Sequence, residues 1–172
     1  MFQIKTAHIV IFALFVSPII EAQNCNSNPY PSQPNFKKDN GNGTVTDYET
    51  SLTWKKCSEG LTGNDCSSGT EKTYNVYEAL RQVKFVNDSG GFAGYRDWRL
   101  PDEDELQSLT YIACSNPKID LSLFPNTVNE RYWTDTPHGE SGAMAIDFRM
   151  GASFGGNRVD HYSVRLVRGG KQ

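Results

Sequence analysis

The sequence predicts an α+β domain in which two helices pack on a small, mostly antiparallel sheet with many loops. Three observations point to this fold class: two Asn-Gly steps between short extended segments, two capped amphipathic segments, and an alternating pattern in the last third. An N-terminal hairpin and two helices followed by strands are typical of the α+β class.

Residues 1–22 have the layout of a signal peptide. Lys5 supplies the positive start, the segment from Ile9 to Val16 is apolar, and Ala22 is small enough to precede a cleavage point. The apolar run is short for a membrane anchor, which needs about 20 residues to span a bilayer. We therefore expect secretion, to the periplasm, the cell surface or the medium, and no stable membrane insertion.

The mature part begins with an irregular lead-in at residues 23–35, rich in Asn, Pro and Ser, and continues as one domain over residues 36–170. Asn40-Gly41 and Asn42-Gly43 predict a hairpin turn, because Asn-Gly accepts positive φ at low cost. A calcium loop is the alternative, but glycines fall at ligand positions if Asp39 is taken as the first ligand. A short strand is predicted from Leu52 to Lys55.

Two helices are predicted next. Asn75 and Glu78 form a candidate capping box at the start of the first helix, which is predicted to end near Asn87. Asp102 and Glu105 form a candidate capping box at the start of the second helix. Apolar residues at helical spacing define the predicted buried faces: Val76, Ala79, Leu80, Val83 and Val86 in the first helix, and Leu106, Leu109 and Ile112 in the second.

The segment between the helices contains a charged cluster around Trp98. Asp97 to Leu100 is predicted to be a short strand, and Trp54 and Trp98 are predicted to be core residues because of their size and strand position. Arg96, Asp97 and Arg99 predict structural ion pairs, since arginine makes fixed bidentate contacts with carboxylates, although a ligand site stays an alternative.

The last third of the chain predicts sheet. Met144, Ile146, Phe148 and Met150 alternate with Ala145, Asp147 and Arg149, which predicts one apolar face. The segment from Val164 to Arg168 alternates in the same way, with Arg165 among its intervening residues. The segment between them, from Gly151 to Tyr162, is predicted to be a loop.

The cysteines predict two disulfides. Cys25, Cys57, Cys66 and Cys114 all lie in the mature part, and an even number in an oxidising compartment favours bonded pairs. Cys57 and Cys66 close a short loop rich in Gly and Ser, so we pair them, which leaves Cys25 with Cys114. A metal or redox site is the alternative, but the spacing lacks Cys-x-x-Cys.

Charge is distributed unevenly. Residues 23–140 hold 11 Lys/Arg against 17 Asp/Glu, a net −6, whereas residues 141–172 hold 5 against 2, a net +3. This mild excess is too small for a nucleic-acid footprint, which needs a concentrated basic face. An anionic partner at the C-terminal end is compatible with it.

Several segments follow one another in a characteristic order. They are Asp39-Asn40-Gly41-Asn42-Gly43-Thr44-Val45-Thr46-Asp47, Leu52-Thr53-Trp54-Lys55-Lys56-Cys57, Gly94-Tyr95-Arg96-Asp97-Trp98-Arg99-Leu100-Pro101, Tyr132-Trp133 and Tyr162-Ser163-Val164-Arg165-Leu166-Val167-Arg168. In order and spacing they resemble the Lcl C-terminal domain family over about residues 36–169. The resemblance implies a C-type-lectin-like fold, related to that of the formylglycine-generating, sulfatase-modifying enzymes, in exported or surface proteins, some of which bind glycans or host polymers.

The sequence does not predict an enzyme. His138 and His161, the two histidines of the mature part, lie in no recognisable triad or metal motif. Formylglycine-generating chemistry would require reactive cysteines, whereas Cys57 and Cys66 fit a disulfide. Calcium-dependent lectins use a Glu-Pro-Asn motif, and Phe124-Pro125-Asn126 lacks its carboxylate. We therefore expect no cofactor and no metal.

The resemblance implies that ligands meet the long loops at one end of the domain. The two candidate loops, from Tyr132 to Gly142 and from Gly151 to Tyr162, carry the predicted ligand-binding residues Trp133, Asp135, His138, Asn157, Arg158, His161 and Tyr162. Aromatic faces and polar side chains of these types suit a polar ligand. The alternative is that Trp133 and Tyr162 belong to the core and the other residues to ordinary solvated loops.

The sequence thus favours a secreted or surface-exposed bacterial binding module of adhesin-like type. Its expected partner is a glycan, an anionic polysaccharide or a surface protein, and its oligomeric state is left open. A non-enzymatic structural or assembly component of an envelope or pilus-type complex is the alternative.

Overall fold

A computed structural model of the chain describes residues 23–25 and 36–170, so the predicted signal peptide and most of the predicted lead-in lie outside the described residues. The helices are α1 (Val76–Asp88) and α2 (Glu103–Gln107). The strands are β1 (Asn24–Cys25), β2 (Lys37–Asp39), β3 (Thr44–Asp47), β4 (Leu52–Lys55), β5 (Leu61–Thr62), β6 (Ser68–Gly69), β7 (Thr73–Tyr74), β8 (Cys114–Ser115), β9 (Arg131–His138), β10 (Gly142–Asp147), β11 (Ala152–Gly156), β12 (Tyr162–Ser163) and β13 (Val167–Gly169). The predicted α+β class is confirmed.

Both predicted capping boxes are present. The side chain of Asn75 accepts a hydrogen bond from the Glu78 N–H, and the Glu78 carboxylate accepts one from the Asn75 N–H, at 3.0 Å each. Asp102 and Glu105 exchange the corresponding bonds at 2.8 Å. These bonds satisfy backbone donors that have no partner inside a helix, and so they fix where each helix begins.

The N-terminal hairpin is also confirmed. Strands β2 and β3 pair antiparallel, and the turn between them places Gly41 at φ +72° and Gly43 at φ +83°, which glycine adopts without strain. The Asp39 carboxylate accepts the Gly41 N–H at 2.9 Å and pairs with the Lys56 ammonium at 2.6 Å. The acidic and amide side chains of this turn therefore serve the turn itself.

A five-stranded sheet forms the centre of the domain, in the order β11-β10-β9-β12-β7, and all its pairings are antiparallel except β12 with β9. One face packs on α1 in a core cluster of Ala79, Val86, Trp98, Leu100, Trp133, Ala143, Ala145, Val164 and Leu166. The other face packs on α2 and on a second sheet, β13-β4-β3-β2, through Val45, Leu52, Trp54, Leu106, Leu109, Ile119, Phe124, Tyr132, Ile146, Phe148 and Val167. Trp54 and Trp98 are core residues, as predicted.

Both predicted disulfides are present, Cys25–Cys114 and Cys57–Cys66. Cys25 and Cys114 lie opposite each other where β1 pairs with β8, so the bond fastens the start of the described chain to the body of the domain. The second bond joins Cys57, before β5, to Cys66, in the connection between β5 and β6, and these two strands pair antiparallel. Neither described helix has the length and apolarity needed to cross a bilayer.

Three apolar residues that were predicted to be buried are exposed: Leu80, Ile112 and Met150. Leu80 lies at the edge of the α1 stripe. Ile112 lies beyond the end of α2, which closes at Gln107, so helical spacing no longer applies to it. Met150 lies in the turn after β10, where the strand alternation has ended.

Two predicted strands are wrong in detail. Asp97 to Leu100 forms one isolated bridge, between Arg99 and Val167, and no ladder. The segment from Val164 to Arg168 contributes only its last two residues to β13. Arg165 is fully buried, although the alternating pattern placed it on the opposite side from the apolar residues.

The two predicted loops are largely strands. The segment from Tyr132 to Gly142 forms most of β9, and the segment from Gly151 to Tyr162 contains β11. Only residues 157–161 form an irregular connection between β11 and β12. The physical reason differs between the two strands. Strand β9 buries three consecutive residues, Tyr132, Trp133 and Thr134, so it lacks simple alternation, and β11 is an edge strand of mostly small residues with only Gly156 buried.

Candidate binding surface

Trp133 belongs to the core and is 0% exposed. Its indole N–H donates a 2.6 Å hydrogen bond to the Tyr74 carbonyl oxygen, and its ring centroid lies 4.4 Å from that of Tyr162. A Cβ on Gly156 would come within 2.4 Å of the indole, so only glycine fits there. The prediction that Trp133 contacts a ligand is therefore wrong, because neither face of its ring is accessible.

Tyr162 lies over Trp133 and is partly exposed. Its hydroxyl donates to the Asp160 carboxylate at 3.1 Å and accepts from the Arg131 guanidinium at 3.2 Å. The Asp160 carboxylate also accepts the Asn157 N–H at 2.8 Å, which lowers the pKa of Asp160. These hydrogen bonds hold residues 157–161 in a compact turn and attach the turn, through Tyr162, to Arg131 on β9.

The Arg131 guanidinium lies between two aromatic rings. Its central carbon is 4.5 Å from the ring centroid of Phe154 and 5.6 Å from that of Tyr162. Its Nε donates to the buried Asp147 carboxylate at 3.4 Å, and Arg149 approaches the same carboxylate oxygen at 3.7 Å. We call the surface formed by Arg131, Arg149, Phe154 and Tyr162 the arginine shelf.

The arginine shelf has unused hydrogen-bonding capacity. The Arg131 side chain is 33% exposed and that of Arg149 is 60% exposed. Arg131 Nη2 has no hydrogen-bond partner among residues 23–25 and 36–170. The Asp147 carboxylate lies against both guanidinium groups, and the charge of Asp160 also acts on Arg131, so these two carboxylates offset the charges of Arg131 and Arg149. The hydrogen bond to Tyr162 is the largest of the effects that raise the pKa of Arg131.

His161 connects this region to α1. Its Nε2 lies 3.4 Å from the Glu78 carboxylate, and its Nδ1 lies 3.0 Å from the Val159 carbonyl oxygen. Arg158 is exposed, and within the described part of the chain it makes no hydrogen bond or ion pair. The structure therefore brings Asn157, His161 and Tyr162 to one side of the domain, with Arg158 exposed in the same connection.

The other two predicted ligand residues, Asp135 and His138, lie on β9. The His138 ring packs over the backbone of Gly155, where an added Cβ would meet it at 2.1 Å. Asp135 is exposed, its N–H donates to the Pro101 carbonyl oxygen at 2.8 Å, and its charge contributes to raising the pKa of Arg99, after the larger effect of the Glu105 hydrogen bond. Asp135 thus faces the ion pair of Arg99 with Glu105, near α2.

A shallow depression of about 430 Å³ lies beside α1. It is lined by Thr73, Tyr74, Glu78, Arg81, Gln82 and Phe85. Tyr74 pairs with Tyr162 where β7 meets β12, so the depression and the arginine shelf are neighbours on the same side of the domain.

A buried polar network lies inside the domain. The Arg165 guanidinium donates to the backbone carbonyl of Lys56 and to Thr127 Oγ1, at 2.7 Å for the latter. The Tyr132 hydroxyl lies 2.8 Å from Ser58 Oγ and donates to the Glu71 carboxylate at 2.9 Å. Burial lowers the pKa of Arg165 and raises that of Tyr132. This network is enclosed, so it serves the fold and not a soluble ligand.

Within the described residues, no group of three or more His, Cys, Asp or Glu side chains is arranged to hold a metal ion. Two of the three charged residues of the Trp98 region form the predicted ion pairs, which are partly exposed and not buried: Arg99 makes a bidentate contact with Glu105 at 2.7 Å, and Asp97 makes one with Arg168 at 2.8 and 3.1 Å. Arg96 is exposed and forms no ion pair among the described residues.

Sequence reasoning missed Arg131 and Phe154, since β9 and β11 were predicted to be loops. It also missed the lining of the depression. One signal was available, because Phe85 is an apolar residue that falls outside the predicted buried stripe of the first helix.

Fold and surface together define a disulfide-bonded α+β domain that presents arginine and aromatic side chains on one side. The family model of the Lcl C-terminal domain matches residues 43–168, and the chain therefore belongs to the Lcl C-terminal domain family. The family membership that the sequence motifs predicted is thereby confirmed. No curated protein is similar enough to the chain to count as a match.

Proposed function

We propose that this chain is a secreted or surface-exposed bacterial binding module, without enzymatic activity, whose arginine shelf holds an anionic group of a glycan or another polar polymer. The observation that carries the proposal is the Arg131 guanidinium, fixed between the rings of Phe154 and Tyr162 with Nη2 free of partners among the described residues. A C-type-lectin-like fold is part of the same proposal, supported by the family membership.

Export is supported by the two disulfides, because such bonds persist in oxidising compartments and are rare in the cytosol. It agrees with the signal-peptide layout of residues 1–22.

An anionic ligand is favoured by the charges around the shelf. Arg131 and Arg149 share one buried carboxylate, and Arg158 is exposed in the neighbouring connection. Guanidinium groups present parallel N–H donors that match carboxylate, sulfate and phosphate oxygens. Since the arginines are partly exposed, the interaction should weaken as salt is added, with screening over about 10 Å at 0.1 M ionic strength.

The experiment compares capture of the mature protein on dextran sulfate and on uncharged dextran, which share a backbone and differ in charge. We expect saturable, salt-sensitive capture on dextran sulfate that is much stronger than capture on dextran. Arg149→Gln and the double change Arg158→Ala with His161→Ala should each weaken capture. Lys38→Gln is the matched control, because Lys38 is an exposed cation on β2, in the second sheet.

Equal capture on both polymers, or an equal loss of capture in the Lys38→Gln control, would contradict specific binding of an anion at the arginine shelf.

An assembly component of an envelope or pilus-type complex is the second candidate. It is supported by the exposed apolar side chains of Tyr77, Leu80 and Phe85 on α1, which are suited to a protein partner. Absence of polysaccharide binding together with co-purification of one defined envelope protein would favour that alternative.

A further inference from the structure

We propose that the depression beside α1 binds one uncharged pyranose ring of an oligosaccharide, at a site separate from the arginine shelf. Its volume of about 430 Å³ falls within the range of small-molecule sites, about 300–1,000 Å³. Its lining combines two aromatic rings with planar polar side chains, a composition that suits a ligand with one apolar face and a rim of hydroxyl groups.

Phe85 supplies the apolar platform. The side chain lines the depression and is 63% exposed, on a helix whose other face carries the buried Ala79 and Val86. A phenylalanine this exposed gains little from the fold itself, whereas stacking of its ring on the apolar face of a sugar would remove apolar surface of both partners from water.

The polar groups of the lining are available. Thr73 Oγ1, the Tyr74 hydroxyl and the Arg81 guanidinium have no hydrogen-bond partner among the described residues, and one oxygen of Glu78 is likewise unused. The Gln82 amide donates through Nε2 to Glu59 at 2.8 Å, which leaves its oxygen free to accept. Sugar hydroxyls both donate and accept, and this set offers both roles.

The charges of the lining cancel, which favours an uncharged ligand over an anionic one. Glu78 carries one negative charge and Arg81 one positive charge. Beneath them the Glu59 carboxylate is neutralised by the Lys55 ammonium at 2.5 Å. Burial and the nearby Glu59 raise the pKa of Tyr74 to about 12, so its hydroxyl keeps its proton and remains a donor at neutral pH.

The lining is also held in place before any ligand arrives. The capping box fixes the first turn of α1 at Asn75 and Glu78, and the Tyr74 carbonyl is bonded to the buried Trp133 indole. A site that is already ordered loses little conformational entropy on binding.

The test uses the mature protein labelled with ¹⁵N and three uncharged trisaccharides as probes: cellotriose, mannotriose and chitotriose. We expect at least one to give saturable shifts at the backbone amides of Tyr74, Glu78, Gln82 and Phe85, with a Kd of roughly 1 mM or below. Phe85→Ala should weaken this binding about tenfold or more, equal to about 1.4 kcal/mol. Tyr77→Ala is the matched control, because Tyr77 is an exposed aromatic residue on the same helix outside the lining.

The proposal fails if none of the three trisaccharides binds, or if Tyr77→Ala loses as much affinity as Phe85→Ala. Added salt should leave the trisaccharide affinity unchanged, and so should Arg149→Gln, because the shelf is a different site. The two binding assays therefore fail independently. Absence of dextran sulfate capture would contradict the arginine shelf and leave the depression standing, and absence of trisaccharide binding would contradict the depression and leave the shelf standing.

Discussion

The side chain of Asn87 pairs with the backbone of Trp98 through two hydrogen bonds. Its Nδ2 donates to the Trp98 carbonyl oxygen at 2.8 Å, and its Oδ1 accepts the Trp98 N–H at 3.0 Å. The amide thus imitates a neighbouring β-strand and joins the end of α1 to a segment that has no ladder of its own. The Trp98 indole is buried in the cluster beneath α1.

Asn87→Ala should lower the free energy of unfolding by about 1–2 kcal/mol. Leaving buried backbone groups unpaired costs about 1–3 kcal/mol, and the higher helix propensity of alanine offsets at most about 0.7 kcal/mol of that. Equilibrium urea unfolding measures the difference. Lys84→Ala, at an exposed position of the same helix, should change stability by no more than about 0.5 kcal/mol. Equal effects of the two variants would show that the Asn87 pairing contributes nothing.

Arg165→Ala should destabilise the domain far more than Arg168→Ala. Arg165 is fully buried, and its removal would leave backbone carbonyls and hydroxyls without partners, at a cost of about 3 kcal/mol or more. Arg168 makes a partly exposed pair with Asp97, for which about 0.2–1 kcal/mol is typical. Chemical denaturation of the two variants provides the comparison. A loss for Arg168→Ala that matched that of Arg165→Ala would overturn the ranking.

The Cys25–Cys114 disulfide should stabilise the domain more than Cys57–Cys66. The bonded cysteines are 89 residues apart in the first and 9 in the second. Loop-closure entropy then gives about 4.6 kcal/mol for the long loop and about 2.6 kcal/mol for the short one. Replacing each pair with serine and measuring urea unfolding tests the order. Peptide mapping without reduction provides the control that both bonds form in the exported protein.

Stability should decrease in acid partly through Asp97. The hydrogen bond from Arg168 is the main cause of its lowered pKa, below the ordinary value of 3.8. A carboxyl with a lower pKa in the folded state contributes stability above its unfolded pKa, and that contribution is lost as the pH falls through the folded pKa. Asp97→Asn should therefore be less stable than the parent near neutral pH and approach it as the pH falls below 3.8. A constant difference in melting temperature across this range would refute the assignment.

Local interactions explain most of what the sequence predicted correctly. The capping boxes join residues three apart, and the Asn-Gly turn depends on the φ preference of its own residues. The disulfide pairing followed from a short loop and from the even number of cysteines. The capping boxes, the turn and the Cys57–Cys66 bond depend on neighbours in the chain, so a pattern of a few residues is enough to predict them. The Cys25–Cys114 bond spans 89 residues and was predicted only because these two cysteines remained.

Buried strands were harder to predict because their environment comes from distant segments. Asp147 was expected on a polar face, yet it is 1% exposed and accepts hydrogen bonds from the Arg149 and Met150 N–H groups. Both faces of the central sheet are covered, one by α1 and the other by α2 and a second sheet. Burial on both faces removes the alternating pattern from the first half of β9, whereas β11 is an edge strand of mostly small residues, so neither segment shows the pattern of a half-buried strand.

The sequence by itself determined the family, the fold class, the helix starts and the disulfides. Only the tertiary structure decided which side chains are accessible at the candidate surfaces. It buried Trp133 under Tyr162 and placed Arg131 of β9 between rings from β11 and β12. It also left Phe85 exposed above the depression. The physical reason is that burial is set by packing between elements far apart in the chain, which a local pattern of residue types does not encode.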